Sequence, residues 1–203
     1  KEHMGAVVNL LGSGHDYGVK FTYRIQDQPG GIAQALGLCE EFVHDDRCLV
    51  ILGDNIFEDD ISEYVENFMQ QEKGAKILIK KVPDPQRYGV AELKGGNIVG
   101  IEEKPEKPKS DCCVTGIYMY DNRVFNVIKS LKPSNRGELE ITDVNNWYIK
   151  DGSLTFDVLE GWWTDAGTFS SFAYANELAK DKDLSGILCR DYEILREAAI
   201  TKE

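Results

Sequence analysis

Between residues 21 and 82 the chain alternates short β-rich runs with amphipathic stretches, and that alternation limits the folds open to it. FTYRIQ (21–26), CLVILGD (48–54) and AKILIKKV (75–82) are short and rich in β-branched or aromatic residues, the composition of strands. GIAQALGLCEEF (31–42) and DISEYVENFMQQE (60–72) place apolar residues three and four apart, as helices do. Strand, helix, strand, helix, strand predicts an α/β domain: a mixed, mostly parallel central sheet flanked by helices. The second half reads differently. A hairpin about Gly95-Gly96 leads to a strand at CVTGIYMYD, then to helices over 122–131 and within 137–152. SLTFDVLEG is a further strand, and WWTDAGT turns into a helix at about Gly167. The opening KEHMGAVVNLL reads as a helix with no strand before it, and Gly12-Ser13-Gly14 as a plain turn. With no repeat and no Pro/Ser linker, one domain over 1–183 is expected, with a tail over 184–203 that carries a weak helical period at YEILREAAI.

Charge narrows the partners. The 35 acidic residues outnumber the 23 Lys and Arg, a net charge of −12. That balance opposes general affinity for nucleic acid or anionic membranes, while leaving a few local cations free to grip one phosphate. No apolar run reaches the ~20 residues that span a bilayer, and no signal-peptide pattern opens the chain, so a cytoplasmic protein is expected. Cys39, Cys48, Cys112, Cys113 and Cys189 are odd in number and follow no metal-ligand spacing, which favours reduced thiols. His3, His15 and His44 sit in polar surroundings near the start and suggest no chemistry.

Some segments raise chemical questions. In VILGDNIFEDD an apolar strand stops on Asp54, and WWTDAGT repeats the situation at Asp165. Each aspartate can be read as a helix N-cap. Each can equally be a metal ligand at a strand end, and two such carboxylates could hold one Mg²⁺ together with phosphate oxygens and water. In QDQPGGIAQAL, Gln26 ends a strand with an amide able to read a nucleobase edge, and glycines allow close approach to a flat ring; a simple glycine turn is the competing reading. In EEKPEKPKS a carboxylate and an ammonium stand side by side after a strand, a pattern also common as solvated decoration.

In order and at compatible spacing, QPGGIAQAL, LGDNIF, DPQRYGV, IEEKPEKPKS, VTGIYMYD, RGELEITDVN and WWTDAGT resemble the sugar-1-phosphate nucleotidylyltransferase family, nearest its glucose-1-phosphate thymidylyltransferase branch. The resemblance implies a Rossmann-like nucleotidyltransferase fold. It implies Asp54 and Asp165 as the Mg²⁺ ligands, Gln26 on the pyrimidine and the Gly31 backbone against the base. Tyr88, Gly89, Glu103, Thr115 and Trp163 match positions about the sugar, in a portion spanning 88–165, and Lys104 and Arg136 match the cations that hold the sugar phosphate. The family's glycine-rich signature and its N-terminal βαβ portion are absent from these 203 residues. Cys112 and Cys113 replace what is usually an aromatic and a small residue. The implied reaction joins dTTP and glucose 1-phosphate into dTDP-glucose and pyrophosphate, for dTDP-rhamnose-type biosynthesis, in a homo-oligomer, commonly a tetramer. UTP in place of dTTP, and a non-catalytic sugar-nucleotide-binding fragment, are the alternatives.

Overall fold

The structure, a computed structural model, describes residues 3–180. The tail over 184–203 and Cys189 lie outside the described residues. The chain divides into two compact units: residues 28–175, and a smaller one of residues 3–27 with 176–180. No helix among the described residues is long and apolar enough to cross a membrane.

The smaller unit opens with the expected helix, α1 (Met4–Leu11). The strand expected at 21–26 does not form. These residues have strand composition but join no backbone ladder. Instead Phe21 sits between Tyr17 and Tyr23, ring centroids 6.0 and 6.3 Å away, and the Tyr23 hydroxyl donates to the Gly12 carbonyl.

The larger unit runs α2 (Ile32–Gly37), α3 (Glu40–Val43), β1 (Cys48–Ile51), β2 (Asn55–Phe57), α4 (Ser62–Met69), β3 (Ala75–Lys81), β4 (Gly89–Lys94), β5 (Asn97–Glu103) and β6 (Cys112–Tyr120). It continues through α5 (Arg123–Ser130), α6 (Ile141–Lys150), β7 (Leu154–Val158), β8 (Trp163–Asp165) and the first part of α7 (Phe169–Ala179), whose residues from 176 on belong to the smaller unit. The helix expected over 31–42 is thus two short ones, broken after Gly37, where α2 packs so closely on α5 that an added Cβ lies 3.3 Å from Ile128.

Six strands form one mixed sheet in the order β5-β4-β6-β3-β7, with β1 also on β6, while β2 and β8 form a separate antiparallel pair. In the large sheet β1, β3, β4 and β7 run one way and β5 and β6 the other, so the strands are mostly codirectional although only β3 and β7 are adjacent and parallel. All nine residues of β6 are buried. Successive side chains alternate faces. Val114, Tyr118 and Tyr120 join β3's Ile77 and Ile79 against α2, α5 and α6, whereas Cys113 and Ile117 join Leu78, Leu159 and Trp163 on the other face. Cys112 and Cys113 fall on opposite faces as free thiols, and burial pushes the Cys113 thiol up to about 12.

Buried Asp121 locks the far end of the sheet. Its carboxylate accepts from the Gly74 N–H at 2.7 Å, Arg123 Nε at 2.8 Å and the Tyr148 hydroxyl at 2.7 Å, tying the start of β3 to α5 and α6. Removing an acceptor that serves several buried donors costs several times one hydrogen bond. Asp121→Ala is expected to lower unfolding free energy by about 3 kcal/mol in urea titration; a loss below about 1 kcal/mol contradicts this role.

Candidate active site

The site lies where one edge of β6 changes partner. β1 pairs with residues 117–120 of that strand, as Ile51 opposite Ile117, and β4 takes over at Val90 opposite Cys113. Between them the Gly116 carbonyl accepts from the Leu52 N–H at 2.8 Å, and the Gly116 N–H donates to Asn55 Oδ1 at 2.8 Å. A cavity of about 370 Å³ opens at this seam.

Past β1 the chain turns through Asp54 into β2, which pairs with β8 so that Asn55 faces Asp165. The pairing brings Asp54 and Asp165 together, fastened by the Ala166 N–H on the Asp54 carbonyl at 2.7 Å. A Cβ on Gly167 would lie 3.2 Å from Asp165 Oδ2 and 3.4 Å from Asp54 Oδ2, so glycine there leaves both carboxylates clear. Neither aspartate caps a helix. The first-turn amide of α4 is taken by Asp60, which accepts from the Ser62 N–H at 2.9 Å, and Thr168 Oγ1 accepts from the Ser171 N–H at the start of α7. The capping reading of both aspartates therefore falls.

Asn55 joins the parts. Its Oδ1 also accepts from Trp163 Nε1 at 2.8 Å, and its Nδ2 donates to Asp54 Oδ1 at 2.9 Å. A Cβ on Gly116 would fall 2.4 Å from the Asn55 amide, so a side chain there would expel it. Asp165 is held by the Tyr88 hydroxyl at 2.7 Å and by Arg87 Nη2 at 3.1 and 3.2 Å, and Tyr88 rests edge-on against Trp163. Burial, then the bond to Asp165, pushes the Tyr88 hydroxyl well above its ordinary range, so it stays a donor.

On the far wall Thr142 donates to Glu103 Oε2 at 2.6 Å, and Lys104 projects from a backbone with φ of 43°, a left-handed conformation costly for a side-chain-bearing residue. The Lys104 ammonium acts on Glu140 through space and forms no ion pair among the described residues. Arg136 is engaged: it donates to Glu140 at 2.8 and 3.1 Å and to Glu138 at 3.1 Å. Burial alone would raise the Glu140 carboxyl, but Arg136 and Ser134 outweigh it and hold it below the ordinary range.

Of the residues singled out in the sequence, Asp54, Tyr88, Gly89, Glu103, Lys104, Arg136, Trp163 and Asp165 line this one cavity. Thr115 does not. It is wholly buried, and its hydroxyl donates to the Leu78 carbonyl, while its neighbours Val114 and Gly116 form the wall. Gly31 stands one residue before the lining Ile32; its φ of 94° and a Leu139 carbonyl 2.4 Å from an added Cβ require glycine there. Gln26 belongs to the smaller unit. Arg87, Glu138, Glu140 and Thr142 line the cavity without having been singled out, although DPQRYGV and RGELEITD contained them.

Cavity charge decides what can enter. Five carboxylates (Asp54, Glu103, Glu138, Glu140 and Asp165) face three cations (Arg87, Lys104 and Arg136), a net deficit of two positive charges. No cluster of three His, Cys, Asp or Glu residues able to hold a metal occurs among the described residues. Exposed Asp54 and partly buried Asp165, once Arg87 and Tyr88 release it, could hold a hard divalent cation whose remaining ligands would come from phosphate and water.

The profile of the Nucleotidyl transferase family matches residues 1–182. The chain is 45% identical over 166 residues to a glucose-1-phosphate thymidylyltransferase of Neisseria meningitidis, covering 80% of this chain and 58% of that protein. It is 41% identical over 181 residues to a low-salt glycan biosynthesis nucleotidyltransferase of Haloferax volcanii, covering 88% and 51%. It therefore spans between half and three-fifths of these relatives' length. A crystal structure of a putative glucose-1-phosphate thymidylyltransferase from Bacillus anthracis, in complex with a sucrose, superposes with a TM-score of 0.86 at 63% identity, over 90% of this chain and 74% of that one.

Asn55→Ala leaves the Trp163 indole N–H and the Gly116 N–H without their acceptor. An expected loss of about 2 kcal/mol in denaturant titration, with a changed tryptophan emission maximum, follows from two stranded donors. Unchanged stability and emission would show that Asn55 does not join these elements.

Proposed function

The chain belongs to the nucleotidyl transferase family, and from that premise we propose that its full-length gene product transfers a thymidylyl group from dTTP to glucose 1-phosphate. One observation carries this reading: two strand-end carboxylates and the cations Arg87, Lys104 and Arg136 converge on one cavity. A phosphate oxygen of glucose 1-phosphate attacks the α-phosphorus, the α–β bridging bond breaks, and pyrophosphate leaves. The attacking oxygen is already ionised, so the protein's task is positioning and charge neutralisation rather than proton abstraction. The names of the Neisseria and Bacillus proteins support this choice of substrates.

Asp54 and Asp165 would hold Mg²⁺, which when bound supplies positive charge to the phosphate oxygens. Lys104, without an ion pair among the described residues, is the cation most ready to take the sugar phosphate. Arg136 must exchange a carboxylate for that phosphate, and Glu103, braced by Thr142, presents an acceptor for sugar hydroxyls. Trp163 and Tyr88, in edge contact with ring centroids 5.3 Å apart, line the cavity beside Asp165.

Three substitutions test these roles in the full-length product. Asp165→Asn keeps size and an acceptor for Tyr88 but removes charge, so turnover at saturating Mg²⁺ should fall at least ~10²-fold while the protein stays folded. Activity within a few-fold of the parent would leave Asp165 without a metal role. Lys104→Ala and Arg136→Ala should each weaken glucose 1-phosphate binding by roughly tenfold or more and dTTP binding by much less, since charge-assisted bonds to phosphate are the stronger kind. Calorimetric titration with each substrate separates the two; equal losses reject the assignment. Parallel assays with dTTP, dUTP and UTP measure the nucleotide preference: dTTP and dUTP differ by one methyl worth about 1 kcal/mol when buried, and UTP adds a 2′-hydroxyl.

A further inference from the structure

Residues 159–162 cross from β7 of the large sheet to β8 of the two-stranded sheet, and no ladder runs along them. Side chains from both sheets grip their backbone instead. Lys80, on β3 of the large sheet, donates to the carbonyls of Leu159 at 2.8 Å, Glu160 at 3.0 Å and Gly161 at 2.6 Å. An ammonium has three protons, so all of them are committed to this one crossing. From just beyond β2, Asp59 accepts from the N–H groups of Glu160 at 2.8 Å and Gly161 at 2.6 Å, and Glu58 accepts from that of Trp162 at 3.1 Å. A Cβ on Gly161 would lie 2.1 Å from Asp59 Oδ1, so this grip requires glycine. Each end of the crossing is also anchored by main chain, Leu159 N–H to the Ile79 carbonyl and Glu58 N–H to that of Trp162, both at 3.0 Å.

Both sheets contribute to the cavity: Asp165 ends β8 and Asp54 directly precedes β2 in the small pair, whereas Glu103 ends β5 of the large sheet and Lys104 follows it. We infer that Lys80 and Asp59 are positioning residues: by clasping residues 159–162 from both sides they fix the small sheet against the large one and so set the spacing between the carboxylate pair and the sugar-phosphate cations. The inference rests on the nucleotidyl-transfer reading for its effect on turnover, but not for its effect on the backbone. A misplacement of about 1 Å at a reacting centre can cost ~10²-fold in rate, which makes such spacing consequential.

The test uses the full-length gene product with Lys80→Ala and Lys80→Met, the latter keeping an apolar stem if the former folds poorly. Hydrogen exchange is followed at the amides of 160–165 and of β6, Mn²⁺ affinity is measured by electron paramagnetic resonance in the presence of dTTP, and kcat and KM are determined separately. In both variants the amides of 160–165 should exchange at least ~10-fold faster with β6 unchanged, and Mn²⁺ should bind several-fold more weakly. The turnover number should fall ~10²-fold while KM for dTTP moves far less. Propylammonium, which restores the atoms removed in Lys80→Ala, should recover part of each loss in that variant alone. Unchanged exchange at 160–165, or faster exchange with kcat and Mn²⁺ affinity both intact, overturns the inference. Absence of transfer by the unaltered enzyme instead rejects the proposed function, and the exchange and Mn²⁺ measurements then decide the clasp by themselves.

Discussion

Strand β6 is buried over its whole length, and a buried strand must satisfy its backbone on both edges. Along one edge β3 does so, apart from an irregularity between Ile77 and Ile79. Along the other, β1 and β4 share the task and leave a gap at Gly116. Filling that gap calls for groups that can bond a backbone while leaving room beside it. Leu52 N–H and the Asn55 amide meet the requirement, and Asn55 fits because residue 116 has no side chain. The cavity is thus a consequence of how β6 is paired, and the residues that close the gap are the ones that place Asp54 and Trp163.

Electrostatics then sets what the cavity is suited to hold. Asp165 is paired with Arg87 and takes a hydrogen bond from Tyr88, and Glu140 is paired with Arg136, so much of the local charge is balanced internally. Among the described residues the Asp54 carboxylate is braced by the neutral amide of Asn55 alone, and it stays exposed. Polyphosphate entering such a site meets more carboxylates than cations, and a divalent ion is the simplest means of reversing that sign. Ion pairs within the wall have a second effect. A phosphate that took a carboxylate's place would meet in Arg136 a guanidinium already oriented by Glu138 and Glu140.

Much of this was legible in the amino-acid order. Runs at 48–54, 75–82 and 113–121 hold strands where their composition placed them, and Gly95-Gly96 joins β4 to β5. The expected strand at 21–26 was not legible as a failure, because strand composition says nothing of whether a partner edge is available. Whether Asp54 was a cap or a cavity residue could not be read locally. The answer lies in the pairing of β2 with β8, elements more than a hundred residues apart. Thr115 was misplaced for a subtler reason: in a strand buried on both faces hydropathy does not alternate, so the sequence offers no parity to tell Thr115 from Val114 or Gly116. Arg87 and Glu140 stood within motifs already noticed, but their contribution depends on which carboxylate or cation faces them, a matter of tertiary geometry.

The central claim is that the seam on β6 brings Asp54 and Asp165 together as one metal site beside a sugar-phosphate pocket. Anomalous diffraction from crystals of the full-length gene product, grown with Mn²⁺ and dTTP, tests it most directly. The account predicts a manganese peak bridging the carboxylates of Asp54 and Asp165 and the nucleotide's phosphates. Manganese bound elsewhere, with Asp165 still held by Arg87 and Tyr88 while nucleotide fills the cavity, would contradict it.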